Sequence, residues 1–282
     1  MFVSVIVTCY NQEKFIVETI NSVLKQIYSD FECIIINDGS TDSSALIIQN
    51  LIDGIPNFNL HTIKNSGVVT ARNYGVGLSK GFFILPLDGD DTIEPAFIST
   101  CVARFIGNRD LKLVYSRCSF FYGRSGIWDL EPYSFECLLR NNMIPSTAMF
   151  LKSDFLRVGG YKVNMDKGLE DWDLWVRLLK SYNDDVVCLI DEYLFNYRIH
   201  KGTRSSEVNK LNVFDKYADL VLYNNFSVFQ EYYGPIHNKL LRYSYLEKMF
   251  DKPILKFVVV VMNSLSVLKK KIQTRCNFFC QS

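Results

Sequence analysis

Short apolar runs alternate with helical patterns over the first 90 residues of the chain. Four runs rich in β-branched and aromatic residues are typical of buried strands and lie at 3–8, 31–36, 60–63 and 82–87. Between them, apolar residues at helical spacing predict helices over about 15–27, 40–51 and 68–78. Strand and helix units of this length predict a mostly parallel sheet with helices on both faces.

The pattern after residue 112 is less regular. It predicts strands at 113–122 and 148–151, a short helix at 133–140, a helix at 170–182 and two β runs at 186–190 and 193–199. Beyond about 207 the pattern is helical and aromatic-rich, without polar clusters. We therefore expect an α/β domain followed by a helical C-terminal region.

Composition narrows the class of protein. The chain has 282 residues, of which 48% are hydrophobic, and a formal net charge of +1. These values exclude a disordered or collagen-like chain and give no reason to expect a nucleic-acid partner. The eight cysteines are scattered without a C-x-x-C pair, which is typical of reduced thiols in a cytosolic protein. The N-terminus has no basic segment before its apolar run, so we expect a buried strand there and not a signal peptide.

The tail over 249–282 differs from the rest in charge. It carries six positive residues and one negative residue, a net +5, which leaves −4 on the first 248 residues. Its longest apolar stretch, 257–262, is far shorter than the roughly 20 residues that a spanning helix needs. An apolar helix with a lysine-rich end favours peripheral contact with an anionic membrane, here at its cytoplasmic face. The alternative is a last helix that packs on the protein and leaves its basic end in solvent.

Three of the first four predicted strands end in polar clusters. These clusters are Thr8-Cys9-Tyr10-Asn11, Asn37-Asp38-Gly39-Ser40 and Asp88-Gly89-Asp90-Asp91. Each alone could be a turn followed by a helix cap. Parallel sheets bind ligands at the carboxyl ends of their strands, so together the clusters predict one polar binding rim.

The acids that follow the fourth strand are the sharpest signal. Asp88, Asp90 and Asp91 repel one another unless a cation or a ligand rich in donors offsets their charge. Mg²⁺ or Mn²⁺, completed by water and substrate phosphates, is the expected occupant, and a solvated acidic turn is the alternative. Asp38 is placed to accept a hydrogen bond from a pyrimidine ring N–H, with Thr8 and Tyr10 nearby for ring contacts.

Three further groups are candidates. Arg72 lies near a predicted helix start, where it could meet a phosphate or a base carbonyl, or form only a surface salt bridge. Glu170-Asp171-Trp172-Asp173 opens a helix, and three acids exceed what capping requires, so one carboxylate could deprotonate a sugar hydroxyl. His200 could bind the metal or a diphosphate, although a lone histidine is more often structural.

The order and spacing of these motifs resemble a known family. VSVIVTCYNQEKFIVETINSVLKQ, FECIIINDGSTD, NSGVVTARNYG, FILPLDGDD, GGYKVNMDKGLEDWDLWVRL and YRIHKGTRSS together resemble the inverting family 2 glycosyltransferases of the GT-A fold. The resemblance covers about 1–206, with a nucleotide-binding half over about 1–115 and an acceptor-binding half over about 116–206. The region 207–282 follows no motif of the family.

The resemblance implies a function and a set of residues. It implies a nucleotide-sugar donor, most often UDP-linked, an Mg²⁺ or Mn²⁺ ion, and single displacement with inversion onto a saccharide or lipid-linked saccharide. The residues implied to contact the nucleotide are Thr8, Tyr10, Asn11, Asp38, Arg72 and Asp88. The resemblance implies that Asp90, Asp88 and His200 bind the metal and that Asp171 is the catalytic base. It also implies that Glu170 and Trp172 shape the acceptor site. The resemblance leaves the role of Asp91 open.

Two other functions compete with this interpretation. A sugar nucleotidylyltransferase also needs a sheet and metal-binding acids, but its glycine-rich basic loop is replaced here by Cys9-Tyr10-Asn11-Gln12. A non-catalytic nucleotide-sugar-binding scaffold of the same descent would be expected to have lost some of the acids. Nicotinamide binding is disfavoured because no G-x-G-x-x-G follows a strand.

Overall fold

The computed structural model describes residues 1–200 and 213–235. The chain divides into two compact units, Met1–Phe226 and Ser227–Ser282. The basic tail predicted to contact membranes lies outside the described residues, as do Cys276 and Cys280. Among the helices that the structure describes, none combines the length and the hydropathy needed to cross a bilayer.

The strands of the described residues form one sheet. Their bounds are β1 Val3–Cys9, β2 Phe31–Asn37, β3 Phe58–Thr62, β4 Phe83–Asp88, β5 Thr92–Ile93, β6 Leu113–Tyr122, β7 Gly126–Trp128, β8 Met149–Leu151 and β9 Val187–Ile199. The strand order is β3-β2-β1-β4-β8-β6-β9-β5, and β7 pairs with β6.

Helices connect these strands and follow them. Their bounds are α1 Ile16–Leu24, α2 Ser44–Ile52, α3 Val68–Leu78, α4 Phe97–Gly107, α5 Phe135–Leu138, α6 Lys152–Arg157, α7 Glu170–Leu179, α8 Val213–Asn224 and α9 Phe226–Tyr233. Single 3₁₀ turns lie at Val163–Met165 and Asp184–Val186.

The first four strands are parallel, as predicted. β1 lies between β2 and β4, and β3 pairs with β2 on the far side. Every residue of β1 and β2 is buried, because helices cover both faces of a parallel sheet. The register places Thr8 beside both Ile36 and Asp88, so the carboxyl ends of β1, β2 and β4 meet at one edge.

The sheet becomes mixed beyond Asp88. β8 runs antiparallel to both β4 and β6, and β5 runs antiparallel to β9. The prediction of two separate strands near 186–199 was wrong, because Val187–Ile199 is a single strand parallel to β6. Its register skips Asp191 and Glu192, which are exposed and bulge out of the ladder, so the charged pair interrupts the apolar pattern without ending the strand.

Two glycines of α3 have opposite surroundings. α3 packs on β1 and β2, and a Cβ added to Gly75 would lie 2.5 Å from Cγ2 of Ile6 and 3.2 Å from Cγ1 of Ile36. A Cβ added to Gly77 would meet no atom within 4 Å. The glycine at 75 therefore sets how closely the helix approaches the sheet.

Alanine at these two positions should change stability in opposite directions. Gly75→Ala should lower the free energy of unfolding by about 1–3 kcal/mol through overpacking against Ile6. Gly77→Ala should raise it by about 0.5–1 kcal/mol, because alanine favours an exposed helix interior. Urea unfolding followed by circular dichroism measures both, and equal effects of the two substitutions would contradict this account of the helix packing.

Candidate active site

The tip of β1 forms one side of the polar edge. Thr8 is buried and its hydroxyl donates to Oδ1 of Asp88 at 3.2 Å, which joins the ends of β1 and β4. Tyr10 is 47% exposed at the rim. Asn11 has a left-handed φ of 51°, and its Oδ1 accepts a hydrogen bond from the backbone N–H of Thr41 at 2.8 Å. Asn11 therefore ties the loop after β1 to the loop after β2.

Asp38 shapes the neighbouring loop. It is 4% exposed, and its two carboxylate oxygens accept hydrogen bonds from the backbone N–H groups of Ser66 and Gly67 at 2.8 and 2.9 Å. Gly67 has a φ of 84° and directly precedes α3, a conformation that glycine adopts readily. The carboxylate thus fixes the loop that leads into α3.

Arg72 connects two distant parts of the chain. Its guanidinium is 1% exposed and donates to Oδ1 of Asp88 at 2.6 Å and to Oε1 of Glu170 at 2.8 Å. This placement differs from the expected direct contact with a base or diphosphate, because the side chain is enclosed. The same cation joins the loop after β4 to the start of α7.

The electrostatics of Arg72 follow from its partners. Burial lowers the pKa of the guanidinium, but the charge of Asp88, together with Tyr161 and Glu170, raises it well above its usual value. The guanidinium carbon of Arg72 lies over the ring of Tyr161, 5.4 Å from the ring centroid. Burial raises the pKa of the Tyr161 hydroxyl. The guanidinium therefore keeps a positive charge between the two carboxylates.

The acidic loop, residues 88–91, brings Asp90 to His200, because β5, which follows the loop, pairs with β9, which ends just before His200. Their binding of a metal, which the resemblance implies, stays a prediction. Nε2 of His200 lies 2.9 Å from Oδ2 of Asp90, and each side chain is 16% exposed. The ring of His200 also lies 4.5 Å from that of Phe15. A carboxylate and an imidazole thus meet at the edge of the sheet, both partly open to solvent.

Arg198 holds this pair in place, although it is not among the site residues predicted from the sequence. Its Nε donates to the backbone carbonyl of Asp90 at 2.5 Å, and it forms an ion pair with Glu18 at 2.9 Å. Its guanidinium is 1% exposed and lies 4.3–5.3 Å from the ring centroids of Phe15, Phe121 and Tyr122. The only sequence signal is a cation two residues before His200, near the end of the strand.

Asp91, whose role the sequence left open, lies inside the protein. It is 1% exposed, and its Oδ1 accepts a hydrogen bond from the backbone N–H of Arg198 at 2.8 Å. Burial, together with the charges of Asp90 and Asp88, raises its pKa well above the usual range. Asp91 therefore ties the acidic loop to β9 and does not face solvent.

A divalent ion fits the donor set at Asp90 and His200. Carboxylate oxygen and imidazole nitrogen are both ligands of Mn²⁺-type ions, and the partial exposure of the pair leaves room for water or phosphate oxygens. Within 1–200 and 213–235, no group of three or more His, Cys, Asp or Glu side chains is arranged to hold a metal. Asp88 instead directs Oδ1 to Arg72 and Thr8, so its metal contact stays a prediction.

Asp171 lies at the first turn of α7, beside Glu170. Its Oδ2 accepts a hydrogen bond from Nδ2 of Asn142 at 3.2 Å, and its Oδ1 accepts one from the backbone N–H of Trp172 at 2.8 Å. Asn142 lies between α5 and β8, and no pattern in the sequence marks it. The structure thus orients the carboxylate that the resemblance implies as a base.

Trp172 is enclosed and does not itself offer an open surface. It is 5% exposed, and its indole N–H donates to the carbonyl of Leu138 at 2.6 Å. Its ring is stacked on Phe214 of α8, with centroids 6.5 Å apart and planes at 22°. A residue from beyond 207 therefore reaches the start of α7, which the sequence motifs did not indicate.

Asp173 anchors α7 to α8. It is fully buried, and its Oδ2 accepts hydrogen bonds from Nε and Nη2 of Arg177 at 2.9 and 2.6 Å. Its Oδ1 accepts from the amides of Asn224 and Asn225, each at 3.0 Å. The third acid of the Glu170–Asp173 group is therefore structural.

Together these contacts gather the predicted residues at one edge of the sheet. Polar tips of β1 and β2 form a rim for a flat ligand, Asp90 and His200 form a pair suited to a cation, and Asp171 is an oriented carboxylate. Arg72 joins the acidic loop to the residue before Asp171. This arrangement can bind an anionic ligand through a metal and remove a proton from a second ligand.

Comparison with known sequences identifies relatives of the chain. The sequence profile of Glycosyl transferase family 2 matches residues 4–165. The chain is 28% identical over 236 residues to WfaP of Escherichia coli, a UDP-Glc:alpha-D-GlcNAc-diphosphoundecaprenol beta-1,3-glucosyltransferase, and the alignment covers 79% of this chain and 84% of WfaP. It is 34% identical over 114 residues to a chondroitin synthase of Pasteurella multocida, of which it spans about 12%, with 40% of this chain aligned.

Solved structures share the fold. TarS of S. aureus in complex with UDP-GlcNAc superimposes with a TM-score of 0.60 at 20% identity, over 82% of this chain and 73% of that one. A mannosyltransferase from Pyrobaculum calidifontis in complex with GDP-Man and Mn²⁺ gives a TM-score of 0.57 at 15% identity, over 91% and 83% of the two chains. These similarities confirm the predicted GT-A type of fold.

Removing the Arg72 cation should destabilise the protein strongly. Arg72→Met removes the buried cation that pairs with the carboxylates of Asp88 and Glu170 and should lower the free energy of unfolding by about 3–5 kcal/mol. Arg109→Met, at an exposed arginine of the same charge, should change it by about 0.5 kcal/mol or less. Urea unfolding measures both variants.

A second substitution tests the assignment of partners. In the double variant Arg72→Met/Glu170→Gln, the charge of Glu170 is removed together with its cation. The decrease in the free energy of unfolding should therefore be smaller than the sum of the decreases in the two single variants. Strict additivity would show that the ion pair in the structure does not carry the stabilisation.

Proposed function

We propose that this chain, which belongs to glycosyl transferase family 2, moves one sugar from a UDP-linked donor to a hydroxyl of a glycan or lipid-linked glycan. The reaction would be a single displacement with inversion at the anomeric carbon. The observation that carries the proposal is the Arg72 bridge, because it links the acidic loop to the helix that bears Asp171. A donor site and a base must adjoin for this reaction, and Arg72 pairs with Asp88 of the acidic loop and with Glu170, the residue before Asp171.

The edge of the sheet would bind the nucleotide. Thr8, Tyr10 and Asn11 would line the base and ribose, and Asp38 would shape the floor through its bonds to Ser66 and Gly67. Remaining lone pairs of Asp38 would accept a ring N–H. The UDP preference is supported by the UDP-GlcNAc complex of TarS and by the donor named for WfaP.

Asp90 and His200 would hold a divalent ion, with Asp88 close enough along the loop to contact the ribose or the ion. The ion would neutralise charge on the departing diphosphate. The bound Mn²⁺ in the mannosyltransferase of the same fold supports this assignment. Arg198 and Asp91 would keep the acidic loop in position for the diphosphate through their bonds to each other and to Asp90.

Asp171 would take the acceptor proton as the hydroxyl attacks. The hydrogen bond from Asn142 holds the carboxylate in one orientation, and Glu170 is held by Arg72, so the base has a fixed position relative to the acidic loop. An oriented carboxylate at this position supports an enzyme over a non-catalytic scaffold. WfaP acts on a diphosphoundecaprenol-linked sugar, which supports a lipid-linked saccharide as acceptor.

Loss of Asp90 should remove metal-dependent donor binding. Wild-type protein titrated with UDP-Glc, UDP-GlcNAc and GDP-Man should bind a UDP-sugar in the presence of Mn²⁺ and lose that affinity in EDTA. Asp90→Ala should abolish the Mn²⁺-dependent part, whereas Asp110→Ala, at an exposed acid, should bind as the wild type does. Calorimetry that gives Asp90→Ala the wild-type affinity would refute the assignment.

Loss of the base should separate binding from turnover. Asp171→Asn preserves the shape and the contact with Asn142, so donor affinity should stay within about threefold while sugar transfer falls by roughly 10² or more. Transfer is measured as UDP release coupled to product formation. Undiminished transfer by this variant would show that the base is another residue. The proposed function itself would be refuted if the wild-type protein neither bound nor turned over any nucleotide sugar.

A further inference from the structure

The face that α8 turns to the protein is not completely covered. Tyr217 and Val221 lie four positions apart on this face and are 5% and 0% exposed. Phe214 lies three positions before Tyr217, on the same face, yet remains 39% exposed. The apolar face of the helix is therefore open at its first turn, where Phe214 contacts Trp172 of α7.

The exposed ring packs on the residue that follows the proposed base. Phe214 is stacked on Trp172, the residue directly after Asp171, with ring planes at 22°. Trp172 is 5% exposed and its indole N–H is already bonded, so the surface that this aromatic stack offers to solvent belongs to Phe214. The start of α7 also carries Asp171, whose carboxylate accepts a hydrogen bond from Asn142.

We infer that Phe214 is the stacking surface of the acceptor subsite and that the group it binds is a pyranose ring. The inference rests on the proposed function, because it takes Asp171 as the base. A base must lie within hydrogen-bond reach of the hydroxyl that it deprotonates, so the acceptor must lie against the residues around the start of α7. Phe214 is the exposed aromatic ring that the structure places there.

The chemistry of the surroundings favours a sugar over a hydrocarbon chain. A pyranose has an apolar C–H face and a rim of hydroxyl groups, and aromatic rings bury such a face while neighbouring polar groups bind the rim. Asp171 and Asn142, which are hydrogen-bonded to each other, supply a carboxylate and an amide at the same helix start. A lipid chain on Phe214 would desolvate both polar groups without offering them partners.

The test uses the full chain with UDP and Mn²⁺ and methyl pyranosides of glucose and N-acetylglucosamine as acceptor probes. Saturation-transfer NMR should show signal on the C–H protons of one sugar face with the wild type. Phe214→Ala should abolish this signal. In transfer assays with a UDP-sugar donor, the same variant should raise the acceptor KM about tenfold, while the KM for the donor stays unchanged. Phe214→Trp should keep the signal. Tyr223→Ala, at an aromatic 75% exposed on the same helix, should behave as the wild type does.

Two results would overturn the inference. An unchanged NMR signal and acceptor KM in Phe214→Ala would place the acceptor elsewhere. Absence of signal from every pyranoside with wild-type protein that still hydrolyses the donor would exclude the sugar ring as the bound group. Donor hydrolysis by Phe214→Ala shows that this variant is folded. Donor hydrolysis by the wild type shows that the donor site of the proposed transferase functions, so a failure of the inference is distinct from a failure of the proposed function.

Discussion

A buried cation between two carboxylates is the constraint on which the arrangement of this protein depends. Arg72 comes from α3, Asp88 from the end of β4 and Glu170 from the start of α7, and the guanidinium is 1% exposed between them. A buried charge is costly unless its partners are held at bonding distance, so none of the three elements can move independently. The ligand-binding edge of the parallel strands and the helix with the proposed base therefore keep one geometry.

A second cation performs a similar task at the other side of the acidic loop. Arg198 is covered by Phe15, Phe121 and Tyr122 and bonds the carbonyl of Asp90, while its own backbone N–H bonds Asp91. Tyr122 has a φ of 78°, which is strained for a bulky residue and is offset by this packing. Asp91 and Arg198 thus hold the loop, and the side chains of Asp88, Asp90 and His200 remain partly open, at 21%, 16% and 16% exposure.

The parts of the structure that were predictable are those that local patterns determine. The parallel strands were predictable because burial on both faces demands continuous apolar runs. The strand pattern did not indicate the contact between Asp90 and His200; only the family resemblance connected these two residues. Contacts between residues 29 to 107 positions apart were not predictable, and these decide that Arg72 is enclosed, that Asp91 is structural and that Asn142 orients Asp171. The split assigned to β9 failed because two charged residues in a bulge look like a turn in a linear pattern.

The buried bonds of Asp173 have a consequence for how such proteins diversify. Asn224 and Asn225 at the end of α8 bind a carboxylate that is itself neutralised by Arg177 within α7. This joint is independent of the first turn of α8, where Phe214 lies. Exchange of the first half of α8 between homologous chains should therefore alter ligand preference. The bonds of Asn224 and Asn225 to Asp173 should meanwhile keep the helix packed on α7, so this segment is a suitable boundary for building chimaeras.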